Sequence, residues 1–183
     1  MSKGKPGKQG SSEVRFTRSV ALPHGCASVV LSGGKVVSVE WERKKELVGK
    51  ALAIKYPGAE EIAVENTVPG KMLHAYSRGR ILSPRDISVL PVAWESLPEF
   101  QRKVLRATAG IPYGKTVTYG ELAASVGSPG AARAVGAALA RNPWPVLVPC
   151  HRVVGKGGKL VGFGKGLAAK EALLRFEEGN VAR

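Results

Sequence analysis

The chain has 183 residues, 44% of them hydrophobic, which is enough to bury a core and excludes disorder throughout. Its 28 Lys and Arg outnumber 14 Asp and Glu for a formal charge of +14, so the expected partner is a polyanion, nucleic acid first, bound less tightly as salt rises. There is no run of about 18 apolar residues and no apolar segment of the kind a secretory signal needs, so the expectation is a soluble cytoplasmic protein with no membrane contact.

Residues 1–12, polar, Gly-rich and dotted with Lys, read as a flexible tail. Residues 14–22 and 27–31 carry strand patterns, and Ser32-Gly33-Gly34-Lys35 reads as a hairpin turn into a strand over 36–41. A helix over 46–55, stopped by Pro57-Gly58, a strand over 61–65 and a short helix over 71–78 follow. Nothing in this half suggests catalysis. His24, Cys26 and His74 lack metal-ligand spacing, and an intracellular location argues against a disulfide, so neither metal nor bridge is expected. Only three Asn and two Gln occur, a scarcity that fits a thermophilic source.

Residues 80–97, with Pro84 and Pro91 and Pro98 just beyond, read as the connector between two units, 13–92 and 93–183. A helix over 99–108 buries Phe100, Val104 and Leu105, and residues 111–119 make a turn and a short extended piece. Helices over 120–126 and 130–141, the second with Ser128 as N-cap and Pro129 in the first helical position, form a helix-turn-helix pattern. Ala132, Val135 and Leu139 share its inward face; Arg133, Gly136, Ala137 and Ala140 share the outward one. Only Arg133 and the terminal Arg141 could reach base edges, so sequence-specific readout is not expected. A surface of small residues with one long cation suits a protein that distorts a duplex, although an Ala-rich packing helix has the same pattern.

Residues 144–149, apolar and Pro-bounded, read as a buried extended segment leading into Cys150-His151-Arg152. A thiolate beside a histidine is a nucleophile in waiting, whereas a small buried thiol is the plainer reading. Strand alternation would point Cys150 and His151 to opposite sides, so a bridging water or a backbone bend would have to connect them.

Pro149-Cys150-His151-Arg152-Val153 resembles the active-site pentapeptide of the 6-O-alkylguanine-DNA alkyltransferases. The likeness extends in the same order to Ile111-Pro112-Tyr113-Gly114, Thr118-Tyr119, Ala132-Arg133-Ala134-Val135-Gly136, Asn142-Pro143, Gly166-Leu167 and Lys170-Glu171. It covers most of residues 100–178 closely and the first half only loosely. The resemblance implies a ribonuclease-H-like α/β amino domain and a winged helix-turn-helix carboxyl domain. It also implies a monomer, free of cofactors, that binds double-stranded DNA in the minor groove, flips an alkylated guanine and takes the alkyl group irreversibly onto Cys150.

By the same resemblance, Glu177 orients His151, which draws the Cys150 proton through a water. Tyr119 crowds the phosphate and helps protonate the departing guanine, Arg133 replaces the flipped base in the stack, and Asn142 braces the turn before the site. Gly136, Ala137, Ala140 and Arg141 would lie against DNA, and Val153, Phe163, Gly164 and Lys165 would border the base. Phe163 and Gly164 depart from the Tyr and Ser of the vertebrate pattern, which leaves selection among alkyl groups, and any action on thymine, open. A DNA-binding regulator with an incidental thiol and a cysteine hydrolase are the competing readings.

Overall fold

The structure, a computed structural model, describes residues 13–181; the tail expected over residues 1–12 lies outside the described residues. Strands β1 (Val14–Thr17) and β2 (Val20–Leu22) run antiparallel along β3 (Gly25–Ser32), which pairs also with β4 (Lys35–Glu42). Gly33 and Gly34, at φ 56° and 78°, make the two-residue turn between β3 and β4, the left-handed pair that a tight hairpin requires. The single strand expected over 14–22 is broken in two. Register slips by one residue across Arg18 and Ser19, from Phe16 opposite Val30 to Val20 opposite Ala27, which is a bulge. At the break the buried Thr17 hydroxyl accepts the Val29 N–H at 3.0 Å.

Helix α1 (Lys45–Lys55) covers one face of the sheet, with Val48 and Leu52 on Val30. The strand expected over 61–65 is shorter: β5 (Glu60–Ile62) pairs parallel with β1, and Val64–Asn66 is a 3-10 turn. Helix α2 (Val68–Ser77) starts earlier than residue 71, because the Thr67 hydroxyl caps it by accepting the Gly70 N–H at 3.0 Å. Its Leu73 and Tyr76 join Ala27, Val29 and Leu31 in the core on the opposite face of the sheet.

The expected connector is not a loose one. It contains α3 (Pro84–Ser88), buries Leu82, Ile87, Leu90 and Val92, and seals the open edge of β4 through Val36 N–H to the Pro91 carbonyl at 2.8 Å. Beyond it come α4 (Glu99–Ala109), β6 (Val117–Thr118), α5 (Tyr119–Ser125), α6 (Ala132–Ala140), β7 (Val153–Val154), parallel to β6, and α7 (Leu167–Val181).

Helix α5 begins at Tyr119 rather than residue 120, since Thr118 and Glu121 close a capping box. Helix α6 begins at Ala132, not residue 130, and Ser128 does not cap it: Gly130 has φ 86°, a left-handed conformation that cannot belong to a right-handed helix. Gln101 of α4 holds the far end of α6, its side-chain amide donating to the carbonyls of Ala138 (3.3 Å) and Arg141 (2.9 Å).

One core joins both halves. Trp144, fully buried, stacks edge-on against Trp94 at 5.0 Å and donates from Nε1 to the Val36 carbonyl at 3.1 Å. Truncating such a side chain to Ala costs about 3–5 kcal/mol. The chain segment that carries Cys150 is thereby fastened to the sheet of the first half. Among the described residues no helix is long and apolar enough to cross a membrane.

Candidate active site

The segment between α6 and Cys150 is not the extended run expected from its sequence. Pro145 and Pro149 have no N–H to give a ladder, and the segment folds on itself around Asn142. The Asn142 side chain accepts the Trp144 N–H at 3.0 Å and donates from Nδ2 to the Val148 carbonyl at 2.9 Å and to Cys150 Sγ at 3.2 Å. Val146 sits inside this turn at φ 71°, fully buried. A β-branched residue held there stores about 1–3 kcal/mol of strain, which the surrounding packing must hold in place. Cys150 therefore opens a 3-10 turn, Cys150–Arg152, instead of ending a strand, and successive side chains diverge by a third of a turn.

That divergence puts three neighbours to different uses. Cys150 Sγ reaches a cavity, while His151 and Arg152 turn inward and are fully buried with Glu177 of α7. Glu177 Oε1 accepts from His151 Nε2 at 2.8 Å, Arg152 Nη2 at 2.9 Å and the Tyr76 hydroxyl at 3.0 Å. Its Oε2 accepts from Arg152 Nε at 2.9 Å and the Gly114 N–H at 3.0 Å. Burial pushes the Glu177 carboxyl up, but the hydrogen bonds and charges of His151 and Arg152 outweigh it and hold the group down to about 2.

Glu177 is thus a carboxylate at neutral pH and can only accept. Burial lowers the His151 imidazole below its ordinary 6.5, against the pull of Glu177, so the ring is neutral there. A neutral ring facing a carboxylate carries its proton on Nε2, which leaves Nδ1 as a base, and that buried nitrogen has no partner among the described residues. Burial also raises the Cys150 thiol above its ordinary value, opposed by the Asn142 hydrogen bond and the Lys170 charge.

A second cluster shapes the loop opposite. Lys170 of α7, fully buried, donates from Nζ to the carbonyls of Val153 (2.6 Å) and Val161 (2.8 Å) and stands 5.5 Å from the centre of the Tyr119 ring. The Tyr119 hydroxyl donates to the carbonyls of Val161 (3.1 Å) and Gly162 (3.0 Å). Gly162, at φ 47°, makes the bend that brings this loop over the cysteine.

The cavity holds about 500 Å³, and Tyr119, Arg133, Gly136, Ala140, Cys150 and Phe163 are among its walls. Gly162 and Gly164 also line it. An adjoining recess of about 250 Å³, which shares Ala140, Phe163 and Gly164 with the cavity, also reaches Cys150 and is bordered by Asn142, Pro145 and Lys165. Ala137 on α6 and Arg141 at its C-terminal cap are exposed and lie outside these walls, and the side chain of Val153, which is fully buried, lies outside them too. The loop is tied to the first half: Phe163 meets the Trp41 ring edge-on at 6.0 Å, and Lys165 pairs with Glu42 at 3.2 Å.

Residues 99–179 match the family model described as the DNA-binding domain of 6-O-methylguanine DNA methyltransferase. The Salmonella typhimurium methylated-DNA–protein-cysteine methyltransferase is 42% identical over 164 residues, 86% of this chain and 92% of that one. The chain belongs to the methylated-DNA–protein-cysteine methyltransferase family.

A Mycolicibacterium paratuberculosis relative of the same name is 58% identical over 79 residues, 43% of this chain and 48% of its own. The solved complex of Mycobacterium tuberculosis OGT with DNA has a TM-score of 0.72 at 30% identity, covering 91% of this chain and 94% of that one. The mixed architecture is accordingly the two-domain α/β fold of these alkyltransferases. Within this methyltransferase, the inward placement of Arg152, Lys170 and Tyr76 went unread in the sequence. Lys170 and Glu177 had a signal: seven residues apart, they share the α7 face that buries Ala169 and Leu173, where a charged pair needs a reason. Tyr76 had none.

Proposed function

We propose that this protein repairs DNA by taking onto Cys150 the alkyl group that a damaged guanine carries on O6. The observation that carries the reading is a thiol at the wall of a cavity of about 500 Å³, roomy enough to admit a base, hydrogen-bonded by Asn142 and backed by the buried His151–Glu177 pair. Sγ attacks the alkyl carbon in line, an S–C bond forms as the C–O6 bond breaks, and its electron pair leaves with the guanine. The thiol proton passes to His151 Nδ1 through a water and on to solvent, while the departing base takes a proton from the hydroxyl of Tyr119, which lines the cavity and regains a proton from solvent. A thioether has no leaving proton and no route back to the thiol, so each molecule acts once.

DNA is the partner, held as a duplex in the minor groove against the exposed face of α6. Small residues there allow close approach, and Arg133, which makes no ion pair among the described residues, occupies the space of the flipped base. Gly136, Ala137, Ala140 and Arg141 face the backbone, and Phe163, Gly164, Lys165 and the Val153 main chain border the guanine. Residues 93–183 hold the reactive machinery, residues 13–92 form the ribonuclease-H-like unit behind it, and the protein works as a monomer.

The decisive experiment is an intact-mass measurement after incubation with duplex DNA carrying O6-alkylguanine. One alkyl adduct per chain, mapped to Cys150, is the expected result, and Cys150→Ser should bind the DNA without gaining mass. An unchanged mass with the lesion intact would overturn the reading.

A further inference from the structure

Tyr76 stands 101 positions before Glu177 and brings the amino half into the reactive network. It is fully buried on α2, its ring gripped edge-on by Tyr113 at 5.9 Å and at a tilt by Phe176 at 5.6 Å. The grip aims its hydroxyl at Glu177 Oε1, the same oxygen that accepts His151 Nε2 at 2.8 Å and Arg152 Nη2 at 2.9 Å. We propose that Tyr76 is a positioning residue for alkyl transfer: by donating to Glu177 Oε1 it limits the negative charge offered to His151 and so tunes how readily that imidazole takes the Cys150 proton. The inference rests on the transfer reading above.

The physical basis is competition for one oxygen. A carboxylate oxygen shared among three donors gives less to each than one shared between two. Burial and the neighbouring Glu177 push the Tyr76 hydroxyl well above its ordinary value, so it stays protonated and can only donate toward the carboxylate. The other charged and titratable groups around the imidazole are Arg152 beside it, Lys170 on α7, Cys150, and Tyr113 in the turn after α4. Arg152 and Lys170 lower the imidazole and Glu177 raises it; of the two tyrosines, Tyr76 is the one bonded to Glu177.

Removing the Tyr76 hydroxyl leaves Oε1 still paired with His151 and Arg152, so no buried acceptor is orphaned. The freed charge goes to the imidazole, which becomes easier to protonate. Single-turnover transfer from O6-methylguanine duplex to Cys150 should therefore lose its rate at higher pH in Tyr76→Phe. The acid limb should move up by about half a pH unit or more, a fall of about threefold or greater on the limb, with the plateau rate within about twofold of the parent.

The same displacement should appear in the His151 titration followed by NMR, which needs no substrate. Site-specific 3-fluorotyrosine at position 76, a stronger donor of nearly the same size, should move the limb and the titration the opposite way, and it serves equally where Tyr76→Phe folds poorly. Coincident titrations in all these proteins, or a Tyr76→Phe rate lowered by one factor at every pH, would overturn the proposal. Absence of adduct in the unaltered protein would instead sink the transfer reading, while the NMR titrations still decide the role of Tyr76.

Discussion

Replacing Glu177 by Gln keeps the side chain's shape and one acceptor oxygen but removes the charge that faces His151 and Arg152. In the native protein that carboxyl falls from 4.5 to about 2, which at about 1.4 kcal/mol per pH unit amounts to about 3 kcal/mol of stability. Because the folded value is the lower one, the contribution is whole above pH 4.5 and is lost as pH falls toward 2. Glu177→Gln also strands the fully buried Arg152 guanidinium, and breaking a buried pair from one side costs about 3–5 kcal/mol. Urea unfolding followed by circular dichroism should find the variant about 3–5 kcal/mol less stable at pH 7, with the gap narrowing steadily below pH 4.5. Transfer should slow by about a hundredfold or more, since the amide no longer fixes which imidazole nitrogen carries the proton. A variant within about 1 kcal/mol of the parent at pH 7, or a gap that ignores pH, would refute the electrostatic account of this pair.

Asn142→Ala removes a donor from Cys150 Sγ and another from the Val148 carbonyl, so the thiol should titrate higher still and stability should fall by about 1–3 kcal/mol; thiol titration and thermal melts check both. Lys165→Ala breaks a pair whose side chains are 36% and 35% exposed, so the stability change should stay under about 1 kcal/mol in urea, and a larger loss would mean that the pair clamps the two halves together. Arg133→Ala should slow transfer from duplex DNA far more than from the free alkylated base, because only the duplex must be opened, at about a few kcal/mol; equal losses on both substrates would remove the role of the arginine.

Local chemistry was legible where it is decided locally. The Gly33-Gly34 hairpin stands as read, while the Thr118–Glu121 capping box moves the start of α5 by one residue. Ser128-Pro129-Gly130 misled for a local reason too, since a helix-start signal was followed by a glycine that the chain uses left-handed for the turn. The failure over residues 144–149 is of another kind. Apolar residues between prolines look like a buried strand, and only the Asn142 amide and the docking of Trp144 on Val36 turn them into a knot of hydrogen bonds. The pentapeptide around Cys150 singled out Cys150 and His151 as candidates without revealing that Arg152 points inward, nor that a tyrosine from the other half meets Glu177. Such contacts depend on packing between distant segments, which no window of sequence contains.

A protein that spends itself in one reaction benefits from a nucleophile that is quiet until its substrate arrives, and the two groups at the site are biased that way. Burial raises the Cys150 thiol and lowers the His151 imidazole, so the resting pair is thiol and neutral ring rather than thiolate and imidazolium. An ordinary value of 9.0 already leaves only about one thiolate in a hundred at pH 7, and a raised one leaves fewer. A cysteine hydrolase needs the opposite bias, a standing thiolate beside a charged histidine. Thiolate absorbance near 240 nm, compared between the parent and Cys150→Ser, should therefore rise only above about pH 9, and iodoacetamide should label Cys150 slowly at pH 7. A thiolate signal at neutral pH in the free protein would show that the nucleophile is armed in advance, and the proton would then have to leave Cys150 before the damaged base enters the cavity.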